Sequence, residues 1–195
     1  MKKTIVGYYR FYKRYIQIVG VLIAFVGLSF AIAQIPTDTL VDYIGSENAW
    51  LLMFVLGAIG GISTFVTVPY QVVLMSFASA GINPIVLGIA TALGVMVGDS
   101  TMFLLSKQVQ GKLSQAQQER LDSWSEYFAK HPRLVAPSLV LYGTFSPLSN
   151  DFVVAGLSLM NFNYLRIVVP LTIGNIFYNI AIAYVGIGFY QTFFG

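Results

Sequence analysis

Residues 49–81 read AWLLMFVLGAIGGISTFVTVPYQVVLMSFASAG, and a second stretch of the same kind, residues 134–156, reads LVAPSLVLYGTFSPLSNDFVVAG. Both are too apolar to leave a bilayer and too broken to cross one. The first is interrupted at Val68-Pro69-Tyr70-Gln71 and the second at Ser146-Pro147-Leu148-Ser149-Asn150-Asp151. Lipid cannot satisfy the N–H and C=O groups freed where a helix stops, so such backbone must be buried in protein or line a wet cavity. The two stretches therefore predict re-entrant helical hairpins, with a polar path between them.

Composition points the same way. The chain is 56% hydrophobic and 10% charged, with a mean hydropathy of +0.73, which describes a protein dissolved in lipid. It has no cysteine and a single histidine, His131, so disulfides and Cys- or His-rich metal sites are excluded. The net charge of +3 is spread beside apolar segments and forms no continuous basic stripe, which argues against nucleic acid as a partner.

Working outward, residues 15–35 form an apolar run ended by Pro36, long enough at about 1.5 Å per residue to cross a hydrocarbon core of about 30 Å. It exceeds a signal-peptide core and reads as the first transmembrane helix. Lys2, Lys3, Arg10, Lys13 and Arg14 precede it, and the following loop holds Asp38, Asp42 and Glu47 with no Lys or Arg. Positive-inside bias puts the N-terminus in the cytoplasm. The next full span is expected from Pro84 to about Ser106, with Asn83 as N-cap and Pro84 at the first helical position. Lys107, Lys112, Arg120, Lys130 and Arg133 follow. This basic connector, residues 107–133, is cytoplasmic only if residues 49–81 dip into the membrane and return, so charge placement favours the hairpin.

Within the connector, Ser114 and Gln117 have capping-box spacing, and Leu121, Trp124 and Phe128 share one helical face. An amphipathic helix on the cytoplasmic surface is expected there, ended by Pro132. The last span is expected from about Leu165 to Phe189, with the C-terminus outside. Arg166 falls at its cytoplasmic end, where it can snorkel to the interface or meet a lipid phosphate.

Three polar residues in this last span, Thr172, Asn175 and Asn179, lie on one face. Asp99, about 12 Å along its helix from Lys107, is the costliest residue in the chain to bury in hydrocarbon. An acid at that depth marks a pathway or ties helices together. Gly94 and Gly98 form a small-residue ridge suited to close helix packing. The two halves also echo each other. A broken hairpin closing on Ala80-Gly81 precedes a span with Gly98-Asp99, and one closing on Ala155-Gly156 precedes a span with Gly174-Asn175. Their opposite entry sides make an inverted repeat, 49–106 and 134–190.

Over residues 51–184 this arrangement resembles the DedA superfamily, also called the VTT or SNARE-associated domain. The residues that carry the likeness are Pro69-Tyr70-Gln71 with Ala80-Gly81, then Gly98-Asp99, then Phe145-Ser146-Pro147-Leu148-Ser149-Asn150-Asp151 with Ala155-Gly156. The resemblance implies movement of a lipid, undecaprenyl phosphate or phospholipid, between leaflets, often coupled to protons. Two departures stand out: Gln71 replaces the family's hairpin glutamate, and the second hairpin carries Asn150 and Asp151 where an arginine is common. Asp99 and Asp151 are left as the acids suited to proton exchange.

The expectation is one all-α polytopic membrane domain over residues 1–195. It would have three full transmembrane helices, two oppositely oriented re-entrant hairpins and a cytoplasmic amphipathic helix, in a prokaryotic plasma membrane. Pro69, Gln71, Asp99, Pro147, Asn150, Asp151, Asn175 and Asn179 would line the substrate path, with Arg166 on a lipid phosphate. Membrane lipids and protons are the expected partners, a second copy of the chain is allowed, and no cofactor, metal or catalytic set is expected. The rival class is a non-transporting membrane scaffold that uses the glycine ridges and the cytoplasmic helix to hold partners.

Overall fold

The computed structural model describes residues 27, 37–62, 70–111, 113–146 and 149–193. The expected span at 15–35, and Pro69 and Pro147 at the two breaks, lie outside them. Among the described residues every regular element is helical: α1 (Thr37–Ile44), α2 (Ala49–Ile62), α3 (Tyr70–Ser79), α4 (Pro84–Gln110), α5 (Gln115–Lys130), α6 (Pro132–Phe145), α7 (Asn150–Leu159) and α8 (Tyr164–Phe193).

The boundaries follow local chemistry. Asn83 caps α4 as expected, its Oδ1 accepting from the N–H groups of Ile85 at 2.9 Å and Val86 at 3.4 Å. The helix runs one turn past Ser106, so Lys107 belongs to α4 and the connector is shorter than its basic composition suggested. Pro132 opens α6, where its missing N–H is no loss.

Two lengths dominate. The 27 residues of α4 and the 30 of α8 span about 40 and 45 Å, enough to cross a membrane. The 14 residues of α2 and of α6, and the 10 of α3 and of α7, reach only about 21 and 15 Å. Outward residues of the long helices are apolar at near four-residue spacing: Ile85, Ile89, Leu93 and Val97 on α4, and Leu165, Val169, Ile173 and Phe177 on α8. This is an exposed apolar stripe of the kind a lipid environment suits.

The two arms of each short pair come together at one end, as those of a hairpin do. Ala49 and Met53 at the start of α2 pack with Phe77 and Ala78 at the close of α3 and with Leu87 near the start of α4. Val135 of α6 and Leu157 of α7 likewise share a core with Phe103 of α4 and Ile167 of α8 at the opposite end. Both hairpins stop about halfway along the long helices. Gly61, near the end of α2, lies against Gly98, where a Cβ on either would strike the partner's backbone, and Gly143 meets Gly174 in the same way.

The long helices are antiparallel. Met75 and Ser76 of α3 reach Gly186 and Tyr190 near the end of α8, while Leu159 and Asn161 after α7 bond Gln110 and Lys107 at the end of α4. Thus α3 packs mainly on α8 and α7 on α4. Each hairpin lends one arm to the other half, so neither half buries its apolar surface alone.

The repeat has a register the sequence did not disclose. Tyr70 and Asn150 begin α3 and α7, and Pro84 and Tyr164 begin α4 and α8, each pair 80 residues apart. Both second arms end in a Schellman turn. Gly81 at φ +88° and Asn161 at φ +63° hold left-handed positions, and Ile82 N–H to Phe77 C=O (3.2 Å) matches Phe162 N–H to Leu157 C=O (3.1 Å). The pairing of Ala80-Gly81 with Ala155-Gly156 is therefore corrected. Gly156 lies inside α7, and the true mate of Gly81 is an asparagine, the other residue that tolerates this backbone region.

Candidate functional site

With the register of 80, the polar residues fall into mated positions: Asp99 with Asn179, Gln71 with Asp151, and Tyr70 with Asn150. The sequence pairing of Gly98-Asp99 with Gly174-Asn175 gives way to this one. Asp99 and Asn179 each stand 15 residues from the start of a long helix, about 22 Å in, and each is 1% exposed. Asp99 follows Gly98, against which the end of α2 packs.

On the acidic side, α7 begins with Ser149 as N-cap. Its Oγ accepts from Asp151 N–H at 3.3 Å and donates to the Asp151 carboxylate at 2.9 Å, fixing a side chain only 4% exposed. The carboxylate sits in the first helical turn, where the helix dipole favours negative charge. Asn150 donates its amide to Asp99 Oδ2 at 3.1 Å, bringing two expected path residues from α4 and α7 together. Asp99 and Asp151 lie within electrostatic reach of each other.

The mated side is neutral. Gln71 takes the place of Asp151, and Asn179 that of Asp99, its Nδ2 donating to the Asn175 carbonyl at 2.8 Å. Thr172 satisfies its hydroxyl on its own helix, at Val168 C=O, and is not aimed at a ligand. Among the described residues, Gln71 Oε1, Asp99 Oδ1, Asn175 Nδ2 and Asn179 Oδ1 are buried with no hydrogen-bond partner. A buried polar atom without a partner costs about 1–3 kcal/mol, and four on facing helices point to polar company.

Arg166 is not part of this centre. It is the third residue of α8, exposed, and about 20 Å along that helix from Asn179. Sequence reading missed Tyr70, the mate of Asn150, which lies within electrostatic reach of Tyr178 and Asp99. The nearest sequence signal was the partial match of Gly81-Ile82-Asn83 with Asn161-Phe162-Asn163, which becomes a register only once both turns are seen to be left-handed.

Two lipid-length apolar helices in antiparallel, half-length hairpins packed crosswise on them, and a buried polar centre define a membrane-associated all-helical protein. A family model for the VTT domain matches residues 68–188, and the chain belongs to this family, the DedA or SNARE-associated membrane proteins. The match opens just before α3 and closes within α8, so it holds both mated second arms and both long helices. No curated protein and no solved structure gives a significant match.

Proposed function

We propose that this protein moves a phosphate-bearing lipid, undecaprenyl phosphate or a phospholipid, between membrane leaflets through the polar centre, with the chains remaining in the bilayer. The observation that carries this reading is the set of four partnerless buried polar atoms at the start of α3 and near mid-length of α4 and α8. A headgroup or the water around it would satisfy them in transit. The half-length of α2, α3, α6 and α7 supports re-entrant hairpins, since none can cross about 30 Å of hydrocarbon. Oppositely entering hairpins facing a central site are the arrangement of alternating-access transporters.

Orientation in this reading follows charge. Lys107, Lys130, Arg133 and Arg166 gather at the end where α4 finishes and α8 begins, while Asp42 and Glu47 lie at the other. The basic end faces the cytoplasm of a prokaryotic cell and the end of α8 faces outside. Asp99 is the residue through which a proton would couple, with Asp151 beside it. The chain works as a transporter and not as an enzyme.

The test is purified protein in liposomes carrying a fluorescent phospholipid or polyprenyl phosphate, with the outer-leaflet signal bleached by an impermeant reductant. Transport predicts loss of signal beyond the outer half. A fraction fixed at that of empty liposomes would leave the scaffold reading in its place.

A further inference from the structure

The two hairpins are mates in the repeat but are packed differently. In the first, α2 lies directly on α3, and Met53, Leu74 and Phe77 are wholly buried in their shared core. In the second, α6 and α7 scarcely touch, because α6 packs on α8 and α7 on α4. A groove of about 290 Å³ remains between them.

Its walls are apolar: Val135 and Leu139 from α6, Phe152, Leu157 and Met160 from α7, with Phe128 of α5 at one end. At the other end the hydroxyl of Tyr142 donates to Ser149 C=O at 3.1 Å, so its ring closes the groove without leaving a free polar tip inside. Phe152, which lines the groove, is 70% exposed, so the groove opens to the outside through an apolar side chain. The Phe128 end is basic. Lys130 and Arg133 are exposed there against one nearby acid, Glu126, leaving a net positive charge.

We propose that this groove holds one acyl chain of an anionic phospholipid resident in the leaflet at the basic end, with its phosphate on Lys130 and Arg133. Water does not fill an apolar cavity, and the surrounding solvent here is acyl chain. Basic groups at the cytoplasmic margin select anionic headgroups from the lipids that carry such chains. The site is separate from the polar centre and independent of whether that centre transports.

Gly156 makes the test clean. It lines the groove, a Cβ there meets nothing within 4 Å, and phenylalanine suits a helix better than glycine. Gly156→Phe therefore fills the space without moving backbone. Full-length protein in detergent is titrated with phosphatidylglycerol or phosphatidylcholine, and bound lipid is counted by native mass spectrometry. Wild type should hold one phosphatidylglycerol about tenfold more tightly than phosphatidylcholine, and Gly156→Phe should lose about tenfold while melting no lower. Lys130→Gln with Arg133→Gln should bring the two lipids level.

Equal retention by Gly156→Phe, or no headgroup preference in wild type, overturns the proposal. So does a wild type that binds no lipid while a cysteine within residues 15–35 crosslinks to one at Met160, since the N-terminal apolar segment would then be the occupant. Displacement of phosphatidylglycerol by undecaprenyl phosphate also counts against a resident phospholipid. Liposome translocation is read separately: its failure in wild type removes the transport reading and leaves this site standing.

Discussion

Asn150 donates its side-chain amide to Asp99 across 3.1 Å, tying the first residue of α7 to the midpoint of α4. The bond joins an arm of one half to the long helix of the other, next to Gly98, where the end of α2 meets α4. Asn150→Ala should lower stability in detergent by about 0.6–1.7 kcal/mol, the range for hydrogen bonds between membrane helices. A thermal or denaturant titration showing no change would mean that the pair does not hold the halves together.

Charge at the centre is tested by shape-preserving changes. Asp99→Asn and Asp151→Asn keep volume and remove the ionisable group, so each should cut lipid translocation in liposomes about tenfold with folded yield unchanged. Any pH dependence of transport should flatten in Asp99→Asn. If both variants move lipid at the wild-type rate, the acids serve only as ties between helices.

The close approach of α2 and α4 depends on having no side chain at Gly98, where a Cβ would overlap the backbone of Gly61. Gly98→Val should destabilise by about 1–3 kcal/mol or more, as overpacking forces the helices apart. Gly188→Val, where a Cβ meets nothing within 4 Å, is the matched control and should melt like wild type. Equal melting of the two variants would refute the tight seam.

At the mated turns the residues are interchangeable in one direction only. Asn161→Gly should cost at most about 1 kcal/mol, because the φ of +63° suits glycine at least as well and only the exposed bond from Lys107 is lost. Gly81→Ala should cost about 1 kcal/mol for a side chain forced to a φ of +88°. Unfolding measurements on the pair separate backbone strain from packing, since a Cβ at Gly81 touches nothing.

Topology can be read by labelling, because the chain has no cysteine of its own. A cysteine at Ser123, exposed on α5, should react with an impermeant thiol reagent only after cells are opened. Reaction in intact cells would place the basic end outside and reverse the proposed orientation.

Composition and apolar run length by themselves determined the membrane class. The full spans at α4 and α8, the cap at Asn83 and the short, broken character of the hairpin segments were legible too, because each depends on residues within a few positions of one another. The motif order likewise carried the family. The register of 80 was not legible, since Gly81 and Asn161 are different residues doing the same work, and only their shared left-handed backbone reveals them as mates. Nor could the sequence say that α3 packs on α8 and α7 on α4, or that α6 and α7 stand apart around a groove while α2 and α3 close on each other. Local patterns specify which face of a helix is apolar; which partner covers that face depends on contacts between residues 49 to 114 positions apart, and only the folded chain brings those together.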